Sequence, residues 1–177
     1  MKDSVKSVVV ITVICLVVAL LLGVTNYFTA PVIKKGNEER TQATLSELIE
    51  DGKFQKMKTE NLSGVPESVT AIYKETTGLG YVIEISTKGY DAGLVIMCAI
   101  SPEGKIIKTA TLSSNETPTI GGNKVVNNDS YTSKYLGKDV SNIDGVDTVS
   151  GATITSNAYK NALKDALDAF AAVSGKF

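Results

Sequence analysis

The chain has no histidine, no tryptophan and only two cysteines in 177 residues. The missing histidine excludes Ser-His-Asp and Cys-His nucleophilic machinery and most transition-metal sites. It also removes axial histidine ligation of haem. Cys15 and Cys98 are too few for a disulfide framework or an iron–sulfur cluster, and both sit in apolar runs, where they read as small buried hydrophobes. A redox role would therefore need an organic cofactor. No sign of charge dominates, with 18 basic against 19 acidic residues. Nothing in that balance suggests nucleic acid as a partner.

One long apolar run is present. Val8 to Phe28 carries no charge and matches the ~20 residues a helix needs to cross ~30 Å of hydrocarbon. Tyr27 and Phe28 stand where an interfacial aromatic anchor belongs. The run exceeds a usual signal core, and no A-x-A-like site follows before Pro31, so it reads as a retained single-pass anchor within residues 1–31. Lys2 and Lys6 precede it, while Lys34, Lys35 and Arg40 follow, so charge gives no orientation. The span holds no carboxylate. Thr12, Thr25 and Asn26 suit contacts with neighbouring helices better than an ion path.

Residues 32–65 read as an amphipathic helix and a linker. Thr41, Leu45, Leu48 and Ile49 recur at helical spacing up to Gly52, and Lys53 to Pro66 is polar and turn-rich. Over residues 66–177 the period changes to that of strands. Val69–Glu75, Leu79–Ser86, Ala92–Ile100 and Lys105–Leu112 are expected as an antiparallel meander, with Ala92–Ile100 apolar on both alternations and so interior. Ser113 to Asp147 has no sustained period beyond a helical turn near Ser130–Leu136; a functional loop and disorder both fit it. The stripe Ala158, Ala162, Leu163, Ala166, Leu167 and Phe170 predicts a last helix, Asn157 to Val173, packed on the sheet. The expected fold class is α+β, with a single N-terminal transmembrane helix and a largely antiparallel sheet packed by helices.

Two stretches carry candidate chemistry. Asp147-Thr-Val-Ser150-Gly151-Ala152-Thr153-Ile154-Thr155-Ser156 is a small, hydroxyl-rich turn running into the last helix. It fits a phosphate cradle, and it equally fits a helix start capped by its own Ser and Thr side chains. Glu116-Thr117-Pro118-Thr119-Ile120-Gly121-Gly122 is a glycine-terminated loop, and Tyr90 precedes the interior strand.

Together these features make the chain resemble the FMN-binding-domain family, represented by the G subunits of Rnf-type ferredoxin–NAD⁺ oxidoreductases. The C subunits of sodium-translocating NADH–quinone reductases are a second branch. Asp147-x-x-Ser150-Gly151-Ala152-Thr153 is similar to the family's flavin-transferase recognition sequence. The resemblance implies FMN joined through its phosphate to Thr153, with Asp147 read by the transferase and Asp144 a weaker candidate for that acid.

The resemblance further implies cofactor contacts from Ser150, Gly151, Ala152, Ile154 and Thr155. Glu116, Thr117 and Ile120 would add contacts from the loop, where the family pattern Glu-Thr-Pro-Gly-Leu-Gly is changed at Thr119 and Ile120. Two readings stand for Glu116, a cofactor residue or a solvated loop charge. Two also stand for Tyr90, a flavin-pocket residue or an ordinary strand-edge tyrosine. The family implies an extracytoplasmic domain, membrane lipid around the anchor and, as partners, the A, B, C, D and E subunits of an Rnf complex. It implies one-electron transfer within a complex that moves Na⁺ or H⁺. A flavin-free anchored assembly subunit is the rival from another class.

Overall fold

The computed structural model describes residues 2–58 and 64–175. Part of the expected linker, residues 59–63, lies outside the described residues. Two compact units divide the chain, residues 1–41 and 42–177.

Helix α1, Lys2–Leu48, opens the chain and continues through Pro31. Within the first unit its uncharged stretch is long and apolar enough to cross a membrane. Thr12, Thr25 and Thr29 each return their hydroxyl to the carbonyl four residues earlier, at 2.9, 2.9 and 3.0 Å. A helix in hydrocarbon must satisfy its polar groups internally, and these side chains do so. Cys15, expected to be buried, is exposed on this helix.

The second unit is a five-stranded antiparallel meander in the order β1-β2-β3-β4-β5. Its strands are β1 Phe54–Met57, β2 Val69–Glu75, β3 Tyr81–Lys88, β4 Ala92–Ile100 and β5 Ile106–Ser113. The four strands expected from alternation are present. β1 adds a fifth, formed by a polar stretch that pairs Phe54 through Met57 with Glu75 through Ile72. Alternation sorts the side chains into two cores. Ile83, Ile85, Ile96, Cys98 and Ile100 face one side, with Tyr159, Leu163, Ala166, Leu167 and Phe170 of helix α3, Thr153–Ser174. Ala71, Tyr73, Val82, Met97 and Ala99 face the other, with Leu45, Leu48 and Ile49 from the end of α1 and the turn after it. β4 is thus paired on both edges and covered on both faces, as its unbroken apolar sequence requires.

Burial also lifts the Cys98 thiol above its ordinary pKa, since the thiolate has no solvent there. At the β2–β3 turn, Glu75 is buried and accepts Thr77 N–H and Thr77 Oγ1 at 2.7 Å, Leu79 N–H at 3.0 Å and Lys53 N–H at 3.2 Å. Burial alone would raise its pKa, but these donors outweigh that and hold it at about 2.

The stretch from Ser113 to Asp147 is ordered rather than an open loop. Pro118–Val126 forms a π-helical turn, in which Gly122 and Asn127 N–H donate to the carbonyls five residues back, both at 3.0 Å. Short helix α2, Asp129–Thr132, and 3₁₀ turns at Ser133–Tyr135 and Ile143–Gly145 follow. Anchors from this stretch, Val125, Tyr131, Tyr135, Ile143 and Val146, all enter the α3-side core. Spaced irregularly, they give no helical or strand period, which is why the sequence reads as loop.

Candidate functional site

The site is built where the last helix begins. α3 starts at Thr153, four residues before the expected Asn157. Its first turn is continuous with the hydroxyl-rich segment, so those residues are helical rather than a separate turn. A tight turn precedes it. Ala152 N–H donates to Val149 O at 3.0 Å, and Gly151 between them has φ +77°. That is the left-handed position which a type II turn gives to glycine.

The capped-helix interpretation does not match the geometry. The N-cap residue is Ala152, and no side chain caps the helix. Ser156 Oγ instead donates to Ala152 O at 2.9 Å and accepts Val149 N–H at 3.1 Å, which locks the turn against the helix. Thr153, the first residue of the helix, is exposed.

Across from this helix start lies the π-helical turn. Between them opens a cleft of about 460 Å³, lined by Tyr90, Glu116, Thr117, Ile120, Gly121 and the run Gly151 to Thr155. That volume falls in the ~300–1,000 Å³ range of small-molecule sites. Its rim is apolar and solvent-facing: Tyr90 is 71 %, Ile154 58 % and Ile120 44 % exposed. A planar aromatic group can lie against such a rim while its polar tail reaches the helix start. Thr119 adopts no left-handed conformation; among the described residues Asp51 is the only non-glycine with positive φ. The π-helical turn therefore accepts threonine where the family pattern has glycine.

The structure gathers nine of the expected site residues around one cleft and leaves two outside its lining. Ser150 is exposed at the tip of the tight turn, and Asp147 is exposed just before it. Asp147 makes no ion pair among the described residues. Asp144 does: both its carboxylate oxygens accept from Lys164 Nζ at 3.1 Å.

Glu116 is not a solvated loop charge. It is 6 % exposed, and its Oε2 accepts the Thr155 hydroxyl at 2.7 Å while Oε1 accepts Asp91 N–H at 3.2 Å. The Thr155 bond ties the loop to the first turn of α3. Three contributors were not anticipated. Gly89 and Gly121 make room for the carboxylate, since a Cβ on either would lie 2.1 and 2.3 Å from its oxygens. Lys124 places its ammonium beside the tight turn, 3.6 Å from where a Cβ on Gly151 would sit. For Gly121 and Lys124, nearness to the Glu116 motif was the available signal. For Gly89 the signal was the Gly89-Tyr90 pair before the interior strand, which is similar to a family position, with no role given to the glycine itself.

The fold and cleft define a class: a five-stranded antiparallel domain with a solvent-open cleft at the start of its last helix, in a chain that opens with a membrane-type helix. Residues 89–168 match the FMN-binding domain, and that segment contains every residue of the cleft. Over nearly its whole length the chain is similar to G subunits of ion-translocating oxidoreductases. It is 27 % identical over 175 residues to the G subunit of the proton-translocating ferredoxin:NAD(+) oxidoreductase complex of Clostridium ljungdahlii, covering 93 % of this chain and 90 % of that one. It is 25 % identical over 183 residues to the G subunit of the Na(+)-translocating ferredoxin:NAD(+) oxidoreductase complex of Acetobacterium woodii, covering 91 % and 88 %. The G subunit of the ion-translocating oxidoreductase complex of Methanosarcina acetivorans is 26 % identical over 186 residues, covering 98 % of each. The N-terminal helix is accordingly read as a membrane anchor.

Proposed function

We propose that this chain is the membrane-anchored, flavin-carrying electron-transfer subunit of an Rnf-type complex. In it, electron flow from reduced ferredoxin to NAD⁺ drives Na⁺ or H⁺ translocation. FMN is held by a phosphoester on Thr153, with the domain on the extracytoplasmic face and the A, B, C, D and E subunits as partners. The observation that carries this reading is an exposed threonine at an uncapped helix start, opening into a cleft with an apolar rim.

The residues present fit the group. Gly151 keeps side-chain bulk away from the turn, the free N–H groups of the first turn of α3 favour an anion, and Lys124 adds a cation beside it. A threonine hydroxyl is a weak nucleophile, and this chain has no histidine to activate it. An external flavin transferase supplies metal and base and reads Asp147. Thr153 Oγ1 would hold the FMN phosphate; its attachment from FAD would break the pyrophosphate bond and release AMP, with the hydroxyl proton passing to the transferase. Tyr90, Ile120 and Ile154 would hold the ring, Thr117 and Ala152 would complete the walls, and the exposed Ser150 would be open to the transferase. When bound, FMN supplies reversible electron acceptance, and the protein supplies position and electrostatics. A covalent tether keeps the effective concentration high at a surface from which free FMN would be lost by dilution. The span has no carboxylate, so ion movement belongs to partner subunits.

Co-expression with a flavin transferase tests this reading. Flavin fluorescence should persist on the band through denaturing electrophoresis and vanish in Thr153→Ala. An unlabelled wild-type band would instead favour a flavin-free anchored subunit.

A further inference from the structure

We infer that Glu116 is a positioning and tuning residue: a fixed negative charge in the cleft wall that lowers the reduction potential of the flavin held there. The inference rests on the flavin reading of the cleft. Glu116 is the only buried acidic side chain lining that cleft among the described residues. Both its oxygens accept hydrogen bonds, from the Thr155 hydroxyl at 2.7 Å and from Asp91 N–H at 3.2 Å. Neither donor carries a full positive charge, and Glu116 forms no ion pair among the described residues.

Its position is also fenced. A Cβ at Gly89 would stand 2.1 Å from Oε1, and one at Gly121 2.3 Å from Oε2. The two positions thus carry no side chain where the carboxylate lies. A solvated loop glutamate needs none of these arrangements. A buried anion with no ion-pair partner among the described residues disfavours the arrival of a second negative charge nearby. An electron placed on the ring therefore meets repulsion, and the reduced form is disfavoured. Glu116 itself forms and breaks no covalent bond and takes up no electron. The electron comes from the donor subunit and leaves to the acceptor subunit.

The test uses the full chain, loaded by a flavin transferase and FAD in detergent, and titrated electrochemically with mediators. Glu116→Gln keeps the shape and the ability to accept from Thr155 while removing the charge. Its midpoint potential should rise by an amount equal to about a tenfold change in the oxidised-to-reduced ratio, ~59 mV for one electron. Thr155→Val keeps the charge but removes a neutral donor from it, so the potential should fall. This sign reversal is something a merely structural role would not produce.

An unchanged or lowered potential in a loaded Glu116→Gln protein overturns the inference while leaving the flavin site standing. Should Glu116→Gln fail to fold, Thr155→Val decides, because an unchanged or raised potential there overturns it equally. Wild-type chain that takes up no flavin overturns the flavin reading and this inference together.

Discussion

Gly121→Ala tests whether the two walls of the cleft are joined as described. A Cβ at this position would lie 2.3 Å from Glu116 Oε2, 2.7 Å from Thr155 Oγ1 and 3.1 Å from Glu116 Cβ. Real Cβ contacts essentially never fall below 3.0 Å, so the carboxylate must leave its place. Moving it breaks the Thr155–Glu116 hydrogen bond and disturbs the bond from Asp91 N–H. Overpacking costs about 1–3 kcal/mol, and losing a hydrogen bond to a charged group about 1.5–3 kcal/mol. The two overlap, so the expected loss is about 2–4 kcal/mol.

Urea unfolding of the full chain in detergent, followed by near-ultraviolet circular dichroism of its seven tyrosines, reads this as a lower midpoint at unchanged slope. The decisive comparison is a double-mutant cycle. With Glu116→Ala already in place, the alanine at 121 has lost its main obstacle, and its added cost should drop to under about 1 kcal/mol, a coupling of about 1–3 kcal/mol. Additive losses would refute the argument, for they would mean that Gly121 is needed for the π-helical turn and not for the carboxylate.

Three further outcomes follow from the geometry. Glu75 has a folded pKa near 2 against an ordinary 4.5, so its stabilisation is complete above about 4.5 and is lost as pH falls toward 2. Acid unfolding of Glu75→Gln should show a shallower loss over that window, and an unaltered acid profile would contradict the assignment. Leu163→Ala removes a fully buried side chain from the α3–sheet core and should cost about 2–5 kcal/mol in urea unfolding. Asp147→Ala should sharply reduce flavin loading by the transferase without shifting the unfolding midpoint. Asp144→Ala should keep loading and lose under about 1 kcal/mol from its exposed pair with Lys164.

What could be read from the sequence follows from which residues carry a period. Val69–Glu75 and Ala92–Ile100 coincide with β2 and β4 to the residue, because each apolar run is bounded by turn residues. β1 escaped because Gln55 and Lys56 are polar, and its place is set by pairing with β2 rather than by its own pattern. The early start of α3 was hidden by Ile154, Thr155 and Ser156, whose β-branching and hydroxyls read as turn. Thr155 and Ser156 are held in the helix by Glu116 and Val149, contacts no local window shows. Thr153, Glu116 and Ile120 were legible as members of two short motifs 37 residues apart in the numbering from Glu116 to Thr153. Their meeting in one cleft was implied only by the family resemblance and not by any local pattern, since it depends on α3 packing beside the π-helical turn. Lys124 and Gly89 matter only once that meeting is made.

The most direct test of the central claim is intact-mass and peptide-mapping mass spectrometry of the full chain after treatment with a flavin transferase and FAD. The account predicts the addition of one FMN phosphoryl unit, localised to Thr153 and absent from Thr153→Ala. An unmodified wild-type chain, or a modification that maps to Ser150, Thr155 or Ser156, would contradict it.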